Sequence, residues 1–352
     1  MIVKLLSGDK PRSAVLTAVL MVILICLAGA PFIFDGVRPL DTAARICIFI
    51  LLVASYDLLL GYGGIVSFAH TMFFGLGAYG VALASTHMGR GFDALLAGSL
   101  AGALAAVVLA LLIGLFSLRV RAIFFAMITL AVASAVAVLV SQFSGITGGE
   151  DGLTYNIPRV LTSANRMGEF LGTRITGKTL NYYLVFFASL ILFLLLLRIV
   201  NSPFGRVLQA IRENDFRAEA IGYRVVWYRT AATCLSAAAA ALAGSLFAIW
   251  LRYVGPDTTL SFEIMLDILL MVVIGGMGTM YGAVIGAALF ILAQTYLQNL
   301  MGSASEATVG LPLIPDLLNP DRWLMWLGIL FILSVYFFPS GIVGRLRQRR
   351  AS

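Results

Sequence analysis

The sequence predicts an all-α polytopic membrane protein with about ten transmembrane helices, and three observations carry that expectation. The first is composition: 61% of the residues are hydrophobic and 12% are charged, against roughly 45–50% and about 25% in soluble domains. One soluble core cannot hide that excess, whereas a bilayer accepts apolar helix surface directly. The second is the length of the apolar runs 14–34, 94–118, 182–200, 230–251 and 323–338. They reach or approach the roughly 20 residues that cross about 30 Å of hydrocarbon. The third is that each run is continuous. A barrel strand alternates over about ten residues, and in lipid only helices and closed barrels pair all their own backbone groups.

Taken in order, the expected spans are 14–34, 45–61, 65–87, 93–118, 122–143, 181–200, 229–251, 264–279, 281–300 and 323–338. The first follows Lys4, Lys10 and Arg12 and runs into Ala28-Gly29-Ala30, a pattern that cleaved leaders share. It is read as a retained span, because retention keeps the topology consistent. With both termini in the cytoplasm, 15 of the 24 basic residues fall on the inner side. They lie in the N-terminal segment, at Arg119 and Arg121, between Arg198 and Arg229, and in the C-terminal tail. The inverse orientation would place them outside, against the positive-inside rule. The whole of 1–352 then forms one transmembrane domain, with 144–180 as a periplasmic loop and 201–228 as a cytoplasmic segment. The net charge of +7 reflects orientation and contact with anionic membrane lipid; no nucleic-acid partner is expected. Cys26, Cys47 and Cys234 are isolated, and no two share metal-ligand spacing.

Two connections are short and rich in glycine. Gly61-Tyr62-Gly63-Gly64 joins the second and third spans, and Gly275-Gly276-Met277-Gly278 lies where the eighth meets the ninth. Such stretches serve either as tight turns or as broken helices that line a cavity. Small residues recur every fourth position at Gly278, Gly282 and Gly286, at Ala240, Gly244 and Ala248, and at Gly98 and Gly102. Faces of this kind let helices pack backbone to backbone.

Residues 172–179 fit the phosphate-loop pattern G-x-x-x-x-G-K-[ST]. A true phosphate loop follows a buried strand and opens a soluble helix. This match faces outward and opens a membrane span, so any ATP chemistry belongs to a separate chain. The segment 202–227 is different. Pro203 suits a first helical turn, and Phe204, Val207, Leu208 and Ile211 share one helical face, with Arg206, Gln209, Glu213 and Asn214 off it. A short amphipathic helix of this kind lies on the membrane or docks in a partner's groove. Ionisable residues within spans are few: Asp57, His70, Glu263 and Asp267, all near expected helix ends, where snorkelling or capping accounts for them. No ladder of carboxylates, Arg-rich sensor helix or potassium filter occurs. With His70 and His87 the only histidines, no catalytic set, metal site or cofactor is expected.

The run Gly61-Tyr62-Gly63-Gly64-Ile65-Val66-Ser67-Phe68-Ala69-His70, continuing through Gly75-Leu76-Gly77-Ala78-Tyr79, resembles the glycine-rich signature of branched-chain amino-acid permeases of the LivM type. Phe125-Ala126-Met127-Ile128-Thr129-Leu130-Ala131, Thr147-Gly148-Gly149-Glu150-Asp151-Gly152-Leu153, 202–222 and Met271 to Gly278 resemble further signatures, in matching order. The resemblance implies the permease bundle of an ABC importer in a bacterial inner membrane. It also implies a second permease of the LivH type, two ATP-binding subunits and a periplasmic substrate-binding protein. Under it, Gly61, Gly63, Gly64, Ser67, His70, Gly75, Gly77 and Tyr79 are candidates for the translocation pathway. Gly205, Arg206, Gln209, Ala210, Arg212, Glu213, Asn214, Glu219 and Gly222 are candidates for coupling to the ATPase. The implied cargo is a branched-chain or other hydrophobic neutral amino acid, with urea or a short amide as the alternative within the family. Glu219-Ala220-Ile221-Gly222 departs from the longer loop of many ABC importers, and Ile65 and Ala69 replace a polar residue and a glycine common in relatives. An ion-coupled transporter is the rival reading and would have to use Asp57, His70, Glu263 or Asp267. An enzyme is not expected.

Overall fold

The apolar runs become helices. The computed structural model describes residues 14–34, 36–117, 122–163, 165–170, 173–307, 319–337 and 341–348. Its principal helices are α1 (Ala14–Ala28), α2 (Val37–Asp57), α3 (His70–His87), α4 (Phe92–Ser117), α5 (Ala122–Gln142) and α6 (Gly177–Val200). They continue with α7 (Pro203–Glu213), α8 (Asp215–Ala220), α9 (Val225–Leu251), α10 (Phe262–Gly275), α11 (Met280–Ala307), α12 (Trp323–Phe337) and α13 (Gly341–Gln348). Among the described residues, seven helical stretches are long and apolar enough to cross a membrane: Val37–Tyr62, Phe92–Phe116, Ile123–Gln142, Gly177–Val200, Val225–Leu251, Pro256–Gly275 and Met280–Glu306. The other three expected spans are also helical. However, α1 and α12 have 15 residues each, and α3, with 18, is diluted by Gly, Ser, Thr and His. The basic N-terminal segment, Arg119 and Arg121, and the last residues of the C-terminal tail lie outside the described residues.

Hydropathy does not decide which helix is central. The most apolar stretch of α2 is 83% buried and that of α5 only 17%, although both are strongly apolar. The closest helix contacts are made at small residues. A Cβ on Gly77 of α3 would fall on the Ala241 carbonyl of α9, and one on Gly244 of α9 would fall on the Phe74 carbonyl of α3. Gly102 of α4 meets the Leu76 carbonyl of α3 in the same way. In lipid, where apolar area drives no helix association, close backbone approach of this kind does. Helices α3, α4 and α9 thus form a tight trio, and α2 packs against α6, α9, α10 and α11.

The third span begins later than expected, at His70 instead of residue 65. Helix α2 overruns Asp57 into a π-helical turn, Leu58–Tyr62. Residues 63–69 then run as irregular backbone pinned to the surrounding helices. The Ile65 N–H donates to the Leu59 carbonyl at 3.0 Å, and the Phe68 N–H donates to Thr129 Oγ1 of α5 at 3.0 Å. Non-helical backbone at this depth is tolerated because protein, not lipid, surrounds it.

At the opposite end of the bundle, residues 144–176 fold into short elements. Strand β1 (Leu153–Thr154) pairs antiparallel with β4 (Tyr253–Val254), and β2 (Arg166–Phe170) pairs with β3 (Thr173–Thr176). The Thr147–Leu153 motif turns on left-handed Gly148, Gly149 and Gly152 and is tied to the end of α9 by Tyr253 Oη, which donates to the Asp151 carbonyl at 3.1 Å. The phosphate-loop match spans the end of the β-hairpin and the start of α6. Gly172 lies outside the described residues, and the Lys178 ammonium sits 5.3 Å over the Trp250 ring, where indole and not phosphate is its neighbour.

Candidate functional site

Helix α7 has the amphipathic form its sequence predicts. Leu208 and Ile211 are buried, Phe204 and Val207 half-buried, and Phe204 stacks on Tyr228 of α9 with ring centroids 5.8 Å apart. Gly205 lies against the Val200 carbonyl, where a side chain would not fit. The opposite face is open: Arg206, Gln209, Ala210, Arg212, Glu213, Asn214, Glu219 and Gly222 are all exposed. Phe216, Ile221 and Trp227 beside them are 80%, 68% and 58% exposed. Charged groups flanking exposed large apolar side chains make a surface suited to a protein partner. Asn214 caps α8 by accepting from the Arg217 N–H at 2.8 Å, and Gly222 leaves α8 with φ +97°.

From this surface Arg212 reaches inward. Its guanidinium donates to the Gly61 carbonyl in the π-helical turn, and its stem lies under Gly64, whose φ is +65° and where a Cβ would come within 2.9 Å of Arg212 Cγ. Below it, Asp57 Oδ1 accepts from the Gly278 N–H at 2.8 Å. Gly278 and Gly276 are both left-handed, and left-handed Gly341, at the start of α13, packs on Gly276. The two glycine-rich connections, 61–64 and 275–278, therefore meet in one junction with the amphipathic helix. π-turns recur at functional sites because they carry backbone that can re-pair.

The pathway candidates continue up α3 from this junction. His70 is fully buried, with Nε2 3.2 Å from both Ser55 Oγ of α2 and Ser236 Oγ of α9, and the Tyr56 ring stands edge-on at 4.9 Å. Gly75 faces Leu260 and Gly77 faces α9. Gly61, Gly63, Ser67 and Tyr79 are buried, and Gly64 alone of the eight candidates is exposed. The stretch therefore sits inside the helix packing of this chain. Asp57 and His70 do not snorkel; both are enclosed by protein. Glu263 is exposed on the first turn of α10, and Asp267 is half-buried one turn further on. Sequence reading missed Ser55, Tyr56 and Ser236, because nothing in their local pattern marks them and they meet His70 only when three helices pack. Among the described residues no cluster of His, Cys, Asp or Glu could hold a metal ion.

A bundle of apolar helices whose inner turns are gripped by a surface helix with an open, charged and aromatic face has the build of a membrane transport permease. The chain belongs to the family described as branched-chain amino acid transport system / permease component, which it matches over residues 38–335. It is 27% identical over 345 residues to the high-affinity branched-chain amino acid transport system permease protein LivM of Salmonella typhimurium, covering 94% of this chain and 75% of that protein. The Escherichia coli K12 protein of the same name is 27% identical over 353 residues, covering 96% and 77%. A probable LivM of Methanocaldococcus jannaschii is 27% identical over 214 residues, covering 61% and 58%. No solved structure matches the chain significantly. The family is one of transport components, and the chain is a multi-pass membrane protein.

Proposed function

We propose that this chain is one of two permease subunits in an ATP-driven importer of branched-chain or other hydrophobic neutral amino acids, with a LivH-type permease as the second. Two separate ATP-binding subunits dock on the exposed face of α7 and α8, and a periplasmic binding protein delivers cargo to the end formed by 144–180. The chain sits in the bacterial inner membrane with both termini in the cytoplasm. The observation that carries this reading is the contact of Arg212 with Gly61. It links a partner-facing helix directly to the turn between two spans, so a displacement of α7 must move the π-turn or break the contact. The relatives' names support the amino-acid cargo.

In this mechanism ATP binding draws the ATPases together and α7 moves with them. The π-turn and the irregular segment 63–69 re-pair, and α3 shifts against α9. The buried His70–Ser55–Ser236 cluster lies on that moving face. Its imidazole Nε2 faces the hydroxyls of both Ser55 and Ser236, so it joins α3 to α2 and α9, and the cargo passes where this chain meets the second permease. Purification from the native membrane tests the reading. Two ATPases and a second permease should co-purify, and the reconstituted assembly with its binding protein should import leucine on ATP hydrolysis. A chain that comes out alone, with uptake that follows the proton gradient in the absence of ATPases, would replace this reading with an ion-coupled transporter.

A further inference from the structure

The end of the bundle remote from α7 holds a cavity of about 200 Å³ that the coupling argument does not use. It is lined by Asp41 on the first turns of α2, by Lys178 and Asn181 on the first turns of α6, and by Trp250 and Arg252 at the exit of α9. Leu161 closes it from the 144–176 segment. Here polar groups converge on a space the size of a small solute, which is the usual build of a binding pocket.

The charges are unevenly satisfied. Asp41 accepts from the Trp250 indole N–H at 2.7 Å through Oδ1 and pairs with Arg45 at 3.1 Å through Oδ2. Lys178 rests over the Trp250 ring at 5.3 Å. Among the described residues neither Lys178 nor Arg252 forms an ion pair; Asp41 acts on Lys178 only at longer range and is itself paired with Arg45, so cations outnumber carboxylates around the cavity. Asn181 is 3% exposed, and its Nδ2 donates to the Ile249 carbonyl at 3.3 Å, which fixes the amide and leaves Oδ1 as a buried acceptor with no partner. A buried acceptor of this kind is costly unless a donor arrives. Arg252 is also the one non-glycine residue with positive φ among the described residues, at +60°. Strain of that sort persists where surrounding structure enforces it and is frequent at ligand sites.

We propose that this cavity receives one zwitterionic α-amino acid by its head group. The carboxylate sits between Lys178 and Arg252, the ammonium donates to Asp41, and the aliphatic side chain lies on Trp250 and Leu161. The fit is to a head group with both charges: the two cations call for an anion, and the Asp41 carboxylate calls for a cation. The pocket is thus a receiving station at the outer end, occupied before the solute enters the spans. This inference rests on the importer reading above and names the group that the outer end recognises.

The test uses the purified permease–ATPase assembly in nanodiscs, without its binding protein, and equilibrium binding of radiolabelled L-leucine. Saturable binding of one leucine per copy of this chain is expected. Isopentylamine, which lacks the carboxylate, and 4-methylpentanoate, which lacks the ammonium, should each compete at least about tenfold more weakly, as expected on losing one charge-assisted contact. Lys178→Gln and Arg252→Gly should each weaken binding about tenfold or more by the same loss. Arg252→Gly also relieves the left-handed strain, so loss of binding there is not loss of folding. Leucine binding that is absent, or unchanged in both variants, in an assembly that still imports leucine overturns the pocket and leaves the importer reading intact. Equal competition by inorganic phosphate makes the cavity a bare anion site and also overturns it. An assembly that hydrolyses ATP with its binding protein present but moves no amino acid overturns the importer reading, and this inference with it.

Discussion

The two ends of this bundle are built from different materials. At the α7 end the contacts are made by backbone: the Gly61 carbonyl, the Gly278 N–H and the left-handed turns at Gly64, Gly276, Gly278 and Gly341. Side chains enter only as Arg212 and Asp57. At the other end the backbone is pinned by short strands, and charged side chains surround open space. The difference fits the two roles proposed above. A junction that transmits movement gains from parts in direct contact, because slack between them would absorb the displacement. A site that accepts a solute and lets it go gains from side chains around a void.

Substitutions sharpen the contrast. The largest effect is expected at Gly61, where a Cβ would fall on the Asp57 carboxylate and the Gly278 N–H. Gly61→Ala should cost about 3 kcal/mol or more, at the upper end of overpacking effects, seen as a collapse in the detergent melting temperature. A Gly61→Ala protein that melts like the parent would show that the junction has room, and the argument from direct contact would fail. Next, Asp57→Ala should cost about 2 kcal/mol, because the Gly278 N–H loses a charged acceptor in a part-buried site. Asp57→Asn keeps an oxygen at that place and should recover most of the loss in the same melt.

Arg212→Glu should leave membrane insertion intact and lower ATP-driven leucine uptake about tenfold in proteoliposomes, the scale of one charged hydrogen bond, while ATP hydrolysis continues. Normal uptake by this variant would break the link between α7 and the π-turn. The smallest effect on stability is expected at the other end. Lys178→Gln, without an ion pair among the described residues, loses the cation–π contact with Trp250 and should shift the melt by no more than about 1 kcal/mol. A large shift there would mean that the cavity is structural after all.

Much of the architecture was legible in the residues. The apolar runs, the short glycine-rich connections and the amphipathic face of Phe204, Val207, Leu208 and Ile211 all follow from local pattern, since helical periodicity is a property of one segment. The start of α3 was not. Residues 65–69 are apolar enough to read as helix, and contacts outside that pattern hold them out of it, among them Thr129, 61 residues away from Phe68. The crossing of spans was half legible: all ten expected runs are helical, and seven of the described stretches meet the length and hydropathy of a crossing. The Gly61 to Tyr79 stretch lies buried within the chain's own packing, a placement that depends on α9, where Gly77 meets the Ala241 carbonyl.

Composition and periodicity by themselves determined that this chain is a membrane helix bundle, where its helices lie and which short helix is amphipathic. Those properties depend on transfer of single segments between water and lipid. The tertiary structure alone decided that Arg212, Gly61, Asp57 and Gly278 form one junction, that His70 is shared by Ser55 and Ser236, and that Asp41, Lys178, Asn181 and Arg252 surround one cavity. Each of these sets joins groups from different helices, and in lipid their meeting is governed by how closely small residues let backbones approach, a shape match that no single segment encodes.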